Sequence, residues 1–351
     1  MTHPDIVLLE ELVAIYSPSQ QESAASEYLV AAMRQRGFDQ AFVDEAGNAV
    51  GVWGHGTRDL LLVGHLDTVP GQIPVRREGD LLYGRGSVDA KGPLACFVAA
   101  VSRLEKPHAW RLVVVGAVEE EAATSKGARF LRDRYRPCAL IIGEPSQWDS
   151  ITLGYKGRLL LDYTLRQPMA HSAGPQPSAP EVAVAFWNAL QGYAQAYNRE
   201  RGTFDTLDAS LRAMHSESDG LHETATLRIG MRVPLGFDVA ALKQWLQQQA
   251  GAAALRFYGQ EVAYRADKRT PLVRAFLKAI REQGGTPRFK VKTGTSDMNV
   301  LAPHWQCPAV AYGPGDSALD HTPHEHLDLR EYLRAIAVLS RALALLIAAP
   351  A

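Results

Sequence analysis

The strongest constraint on this chain is a set of short apolar runs that each stop on a carboxylate or an imidazole. Leu60–Val63 leads into Gly64-His65-Leu66-Asp67, Leu112–Val118 into Glu119-Glu120-Glu121, and Ala139–Ile142 into Gly143-Glu144-Pro145. Ala49–Trp53 is a further run of the same kind. Val/Leu/Ile-rich runs without polar alternation read as strands buried on both faces, as in parallel sheets. Pro93–Leu104, between two of them, has helical periodicity. Strand–helix alternation predicts an α/β fold with a parallel-rich central sheet and helices on both faces. Each polar residue that ends a run then lies at the carboxyl edge of that sheet, where sites gather in such folds.

The chain has 351 residues, long for one core, so two domains are expected. The pattern changes near Tyr155. Arg158–Arg166 alternates as a half-exposed strand, Pro180–Tyr197 reads as a helix, Thr224–Val233 as a strand, Val239–Gln249 as a helix and Ala254–Tyr264 as a strand. With a further strand within Ser210–Ser216 the order is β-α-β-β-α-β, a ferredoxin-like α+β unit. From Thr270 the α/β character returns, with Val273–Arg281 helical and Cys307–Tyr312 a buried strand. The expected organisation is a discontinuous larger domain, 1–154 and 268–351, with 155–267 inserted. Ser19 and Glu22 have the spacing of a capping box opening a helix that runs to Gly37.

A net charge of −1 argues against a nucleic-acid binder driven by phosphate neutralisation and gives no general bias toward membranes. Cys96, Cys138 and Cys307 form no CxxC pair and read as reduced thiols. Pro4 and Asp5 lead straight into Ile6, Leu8, Leu9 and Leu12 at helical spacing, not into a signal pattern. Ala335–Ala349 is interrupted by Ser340 and Arg341 and reads as a buried terminal helix. A cytoplasmic location is expected.

Two further segments carry candidate ligands: Gly84-Arg85-Gly86-Ser87-Val88-Asp89-Ala90-Lys91-Gly92, and His321-Thr322-Pro323 near the C-terminus. One imidazole, one carboxylate able to bridge, two further carboxylates and a second imidazole suffice for two adjacent zinc ions, with a position left for water. Each of these residues also has a bland reading: a loop histidine, a helix cap at Asp89, a solvated acidic strand end. That last reading is poor for Glu119-Glu120-Glu121, because three adjacent carboxylates repel unless a cation is near.

These motifs, in this order, resemble the zinc-dependent aminoacylase and exopeptidase family that includes carboxypeptidase G, acetylornithine deacetylase and succinyl-diaminopimelate desuccinylase. The resemblance covers essentially the whole chain. Ala122–Arg129 and Lys292–Asn299 are most similar to the branch that frees lysine from an N2-acyl form in lysine synthesis through aminoadipate. In that branch the lysine is held on the terminal glutamate of a small acidic carrier protein.

The resemblance implies two zinc ions, with cobalt as a substitute, held by His65, Asp89, Glu121, Glu144 and His321. Asp89 would bridge, His65 and Glu144 would share one ion, and His321 would serve the other. Asp67 would orient Asp89 or a ligand imidazole. Glu120 would be the general base with Glu121 a ligand; the alternative register, Glu119 as base and Glu120 as ligand, stays open. His324 and His326 compete with His321 for its place. His171 resembles a lid histidine that reaches across a homodimer to the oxyanion. Arg232 matches the arginine of an Asp-x-Arg motif in which Gly230 stands here for the Asp, and would grip a carboxylate. Thr295, Ser296, Asp297 and the turn at Gly313 would line the substrate pocket, with Asp297 or Glu325 facing a cationic side chain.

The implied reaction is hydrolysis of an amide that releases lysine, or ornithine. The rival substrates are N-acetylornithine and a succinylated diamino acid; the rival class is a non-catalytic amino-acid or peptide binder on the same fold. An acidic carrier would meet basic residues, for which Arg76, Arg77, Lys156, Arg158, Lys290 and Lys292 are candidates beside a plain solvated-surface reading.

Overall fold

The computed structural model describes residues 3–348, so Ala349, the last residue of the expected terminal helix, lies outside them. In chain order the elements are α1 (Pro4–Ala14), α2 (Ser23–Gln35), β1 (Gln40–Val43), β2 (Ala49–Trp53), β3 (Arg58–His65), β4 (Arg76–Glu78), β5 (Leu81–Tyr83), α3 (Lys91–Val101), β6 (Trp110–Ala117), α4 (Lys126–Arg134), β7 (Ala139–Gly143) and β8 (Ser150–Tyr155). Then come β9 (Gly157–Pro168), α5 (Ala179–Asn198), β10 (Asp208–Ser218), β11 (His222–Val233), α6 (Val239–Ala250) and β12 (Ala254–Glu261). The chain closes with β13 (Tyr264–Arg265), α7 (Pro271–Glu282), β14 (Arg288–Lys292), α8 (Asp297–Trp305), β15 (Ala309–Tyr312), β16 (His326–Asp328) and α9 (Leu329–Ile347).

By contacts the chain divides into two compact units: Met1–Gly154 with Arg265–Val291 and Ser296–Ala351, and Tyr155–Tyr264 with Lys292–Thr295. The larger unit holds a sheet in the order β1-β2-β6-β3-β7-β15-β8-β13, with β14 paired to β8. Its centre is parallel, β6, β3, β7 and β15 running together. Ala49–Trp53, expected among the parallel strands, runs antiparallel to β6. Burial on both faces gives either direction the same apolar run; only the short connections to β1 and β3 decide it. Every residue of α3 is buried, as expected of a helix apolar all round. It packs between α1 and α9. A small antiparallel sheet, β16-β5-β4, completes this unit.

The expected capping box does not form. Helix α2 begins only at Ser23, with Glu22 as its N-cap residue and no side-chain cap. Ser19 instead donates its hydroxyl to Asp67 Oδ2 at 2.7 Å, and Glu22 Oε1 accepts from the backbone of Gln20 and of Glu119, each at 3.0 Å. Both side chains had a distant partner that sequence spacing cannot reveal.

The smaller unit is a four-stranded antiparallel sheet, β10-β11-β9-β12, covered by α5 and α6. Leu159, Leu161, Tyr163 and Leu165 pair across the ladder with Met231, Ile229, Leu227 and Ala225 and form one apolar face with them. Phe186 and Leu190 of α5 and Leu242 and Leu246 of α6 close the core over that face.

Asp5 ties three helices of the larger unit together. Its buried carboxylate takes Arg36 Nη1 at 2.6 Å from the end of α2 and Arg103 Nη2 at 2.5 Å from just beyond α3. Burial pushes the Asp5 carboxyl up, but the two arginines outweigh it and leave it below its ordinary value. A depressed folded-state value means that the stabilisation is complete above the ordinary carboxylate range, near pH 4, and is lost as pH falls through the folded value. Asp5→Asn should therefore lower unfolding free energy by about 1–3 kcal/mol at pH 7. In urea melts at several pH values the gap to wild type should close below about pH 4; a gap independent of pH would refute this account.

Candidate metal centre

Strand register gathers the first side chains. His65 ends β3 opposite Ala117, the last residue of β6, and Gly64 lies opposite Gly143, the last residue of β7. The residues that follow β6 and β7, Glu119-Glu120-Glu121 and Glu144, thus arrive beside His65 at the carboxyl ends of three adjacent parallel strands. The small sheet supplies the rest. His326 pairs with Tyr83, so the turn leaving β5 and the loop entering β16 are neighbours. The first carries Asp89 and the second His321. Gly86 turns at φ +86°, and a Cβ there would come within 2.9 Å of Thr68 Cγ2.

Asp89 sits between two imidazoles. Its Oδ1 is 3.2 Å from His65 Nε2 and its Oδ2 is 3.0 Å from His321 Nε2. Glu144 Oε1 lies 4.0 Å from His65 Nε2, and Glu121 Oε1 lies 2.8 Å from His321 Nε2. His65, Asp89 and Glu121 each offer a donor atom, all within 4.8 Å of one another. Nδ1 of His65 is 2.8 Å from the Asp67 carbonyl oxygen, which holds a proton on that nitrogen and leaves Nε2 for the centre.

Two buried carboxylates fasten the backbones that bear these groups. Asp67 accepts from the amides of Glu120 and Glu121, one on each oxygen, both at 3.0 Å. Glu325 Oε1 accepts from the amides of Val88 and Asp89 at 3.0 and 3.1 Å, while its Oε2 pairs with Arg85 at 2.8 Å. Arg85 also donates to the carbonyls of Gly71 and Thr322. Glu325 is therefore committed inside the protein and does not face a cationic substrate group. The Arg85 role was not read from the sequence; its only signal was an arginine within a glycine-rich turn.

The electrostatics follow from crowding. Burial drives the Glu120 carboxyl well above its ordinary range, and Glu144, Asp297 and Glu121 add to this against the opposing pull of His65. Burial alone would lower His65, yet Asp67 and Asp89 hold it well above its usual value. Hydrogen bonds to Asp89 and Glu121 raise His321 to about 10. Such a cluster takes up positive charge, as protons on the imidazoles or as cations. The donors are all imidazole nitrogens and carboxylate oxygens, with no thiolate, and one carboxylate reaches both imidazoles; this set fits a pair of divalent metal ions.

Residues 61–345 match the sequence profile of peptidase family M20/M25/M40. The chain is also 50% identical over 349 residues to the [LysW]-lysine hydrolase of Deinococcus radiodurans, covering 97% of this chain and 96% of the relative. The chain belongs to family M20/M25/M40. A protein of Thermococcus kodakarensis described as a putative [LysW]-lysine/[LysW]-ornithine hydrolase is 42% identical over 335 residues, 95% of this chain and 90% of its own. The fold matches that of the di-peptidase Dug1p from Saccharomyces cerevisiae with a TM-score of 0.81 over 99% of this chain and 96% of that one, at 13% identity. The M20 chain is accordingly a hydrolase built on a mixed α/β fold with a candidate metal site. Among the described residues no helix is long and apolar enough to cross a membrane.

The remaining candidates of this M20 chain fall as follows. Glu119 turns away from the centre: its Oε2 accepts from Thr124 Oγ1 at 2.6 Å. Asp89 does not cap α3, whose N-cap residue is Ala90. His324 is exposed, and His326 stacks on Tyr83. Ser296 spends its hydroxyl capping α8, accepting from the Met298 amide at 3.2 Å, and Asp297 is buried in the first turn of that helix, close enough to act on Glu120. Gly313 is a packing position, since a Cβ there would lie 2.5 Å from Pro93 Cβ and 2.9 Å from the Glu144 carbonyl oxygen. In the smaller unit His171 lies on an exposed loop, and Arg232 Nη1 donates to Thr295 Oγ1 at 2.5 Å. Lys156 is no docking residue: it is wholly buried, with its ammonium on Asp208 and Thr206.

Arg85→Met should leave Glu325 buried without its cation. The expected cost is about 3–5 kcal/mol of unfolding free energy, with less metal retained per chain by elemental analysis because the Asp89 turn loosens. The double variant Arg85→Met/Glu325→Gln should recover part of the loss; strict additivity of the two single variants would sink the coupling.

Proposed function

We propose that this chain hydrolyses the amide of an N2-acyl-lysine, releasing lysine from the γ-carboxyl of a small acidic carrier protein. The observation that carries the reading is the Asp89 carboxylate, with one oxygen toward His65 and the other toward His321, imidazoles that Glu144 and Glu121 approach in turn. These five residues would hold two zinc ions, with cobalt able to take the same donors. When bound, such ions supply polarisation of the scissile carbonyl and acidification of water.

The chain's own groups do the rest. Glu120, half-buried beside the ligand set, takes a proton from the attacking water and passes it to the leaving α-amine. Asp67 holds the Glu120 and Glu121 backbones in place for this. With Glu119 turned to Thr124, the reading with Glu120 as base and Glu121 as ligand has the geometric support. His171, by the family resemblance, completes the oxyanion contacts in a homodimer, and Arg232 grips a substrate carboxylate.

The substrate assignment is supported by relatives named for lysine release from LysW at 50% identity, and by others whose names add ornithine. Lysine and ornithine differ by one methylene, worth only about 1–3 kcal/mol of discrimination. Activity on both conjugates is the expected outcome, with lysine preferred.

The test is release of free amino acid from the lysine-loaded carrier, from N2-acetyl-lysine and from N2-acetyl-ornithine, with and without a chelator. Chelator-sensitive release that is fastest from the carrier supports the proposal. Faster release from free N2-acetyl-ornithine would move the substrate, and no release by metal-loaded protein would favour the binding-protein reading. Glu120→Gln should keep its metal while kcat falls by about 10²–10⁴-fold; a variant with most of its activity would remove Glu120 from the mechanism.

A further inference from the structure

Two cysteines stand side by side where β7 and β15 begin, on the rim of the large sheet away from the metal centre. Ala309 of β15 pairs with Leu140 of β7 in the parallel ladder, and the Leu140 amide donates to the Pro308 carbonyl at 2.9 Å. Two residues back along each strand are Cys307 and Cys138. A step of two returns to the same face of a strand, so both side chains leave the ladder on one side as neighbours. Neighbouring strands lie about 4.8 Å apart, and a disulfide spans α-carbons separated by about 4.4–6.8 Å. The segments that bring the two residues there are held. Pro137 precedes Cys138, whose amide donates to the Asp59 carbonyl at 2.8 Å, and Pro308 follows Cys307. Upstream, Trp305 Nε1 donates to the Arg132 carbonyl at 3.0 Å and ties the end of α8 to the end of α4. All three thiols are free: Cys138 is exposed, Cys307 is half-buried, and Cys96 is wholly buried in α3. Burial raises the Cys307 thiol to about 11, its own backbone pulling the other way and the nearby Cys138 sulfur adding to the rise.

We propose that Cys138 and Cys307 are a redox modification site, which a low-molecular-weight disulfide oxidises to an intramolecular bridge that clasps β7 to β15 and that thiols reopen. The site is independent of the amide-hydrolase reading. In the first step the Cys138 thiolate attacks one sulfur of the oxidant, forms a mixed disulfide and expels one thiolate. The Cys307 thiolate then attacks Cys138 Sγ, which forms the protein S–S bond and expels the second thiolate. Two protein thiols are oxidised, the oxidant is reduced to two thiols, and the two cysteine protons end on them. Exposure sets this order, since Cys138 meets the oxidant first. Cys307, protonated near neutral pH, does not begin the exchange, but the fixed strands hold it beside the mixed disulfide and so favour closure over escape. The bridge closes a loop from 138 to 307 that contains the whole smaller unit. Closing a long loop restricts the unfolded chain most. The clasp therefore acts on the persistence of the fold and leaves the ligand set, at the far ends of the strands, untouched.

The test treats the full-length, metal-loaded protein with oxidised glutathione, blocks the remaining thiols by alkylation under denaturing conditions, and maps the cysteines by peptide mass spectrometry. Wild type should yield one joined pair of peptides, bearing Cys138 and Cys307, with Cys96 alkylated and no lasting glutathione adduct. Dithiothreitol should restore all three thiols. Cys307→Ser should stop at glutathione on Cys138, and Cys138→Ser should give no bridge. The urea midpoint of oxidised wild type should rise above that of the reduced protein, and neither serine variant should show the rise. Glutathione that persists on Cys138 in wild type, a bridge between two chains, or Cys307 alkylated equally with and without the oxidant would overturn the site. A bridge between Cys138 and Cys307 with no rise in midpoint would overturn the clasp. Neither measurement needs turnover, so failure of lysine release would bear on the proposed function alone.

Discussion

Carboxylates crowded round two imidazoles repel one another, and the larger unit is arranged to hold them together regardless. Asp89, Glu120, Glu121 and Glu144 converge from three separate segments, with Asp297 close behind. Apart, each would be an ordinary solvated acid. Together and largely buried, they raise the proton affinity of Glu120 and of both imidazoles. A site with that excess of negative charge is stable only with positive charge inside it. Divalent cations meet the need, and a base that remains beside them can move a proton.

Holding like charges in place falls to groups that are not themselves ligands. Asp67 and Glu325 use the same device: a buried carboxylate accepts from two successive backbone amides and so fixes the segment that bears a ligand. Each is in turn held by a neutral or cationic donor, Ser19 for Asp67 and Arg85 for Glu325. Anchoring by backbone amides costs no ligand atom. Rotation of the ligand side chains is then set by a rigid main chain, not by solvent-exposed rotamers.

Much of the larger unit was legible because burial on both faces writes a continuous apolar run. The central strands β3, β6 and β7 were read within two residues of their ends. The direction of β2 was not legible, since the same run suits either sense. The weakly placed strand at Ser210–Ser216 exists and is longer, Asp208–Ser218. It is mostly exposed, so the alternation that betrays a half-buried strand is faint there. Ser19 and Glu22 show how local pattern misleads: their spacing is that of a helix cap, but longer-range partners, Asp67 and Glu119, claimed both.

From the sequence alone came the list of chemical groups, their order, and the edge of the sheet where they would meet, because strand periodicity and the residues that end each strand are local properties. The tertiary structure decided which member of Glu119-Glu120-Glu121 points where, since one backbone turn at Glu119, φ +59°, and two hydrogen bonds to Asp67 separate three identical side chains. It also decided that Glu325 serves the Asp89 backbone and that the β10–β11 ladder bulges at Arg212, beside Gly230. Each of these depends on an approach between residues far apart in the chain or on a break in strand register. Neither leaves a trace in composition or spacing.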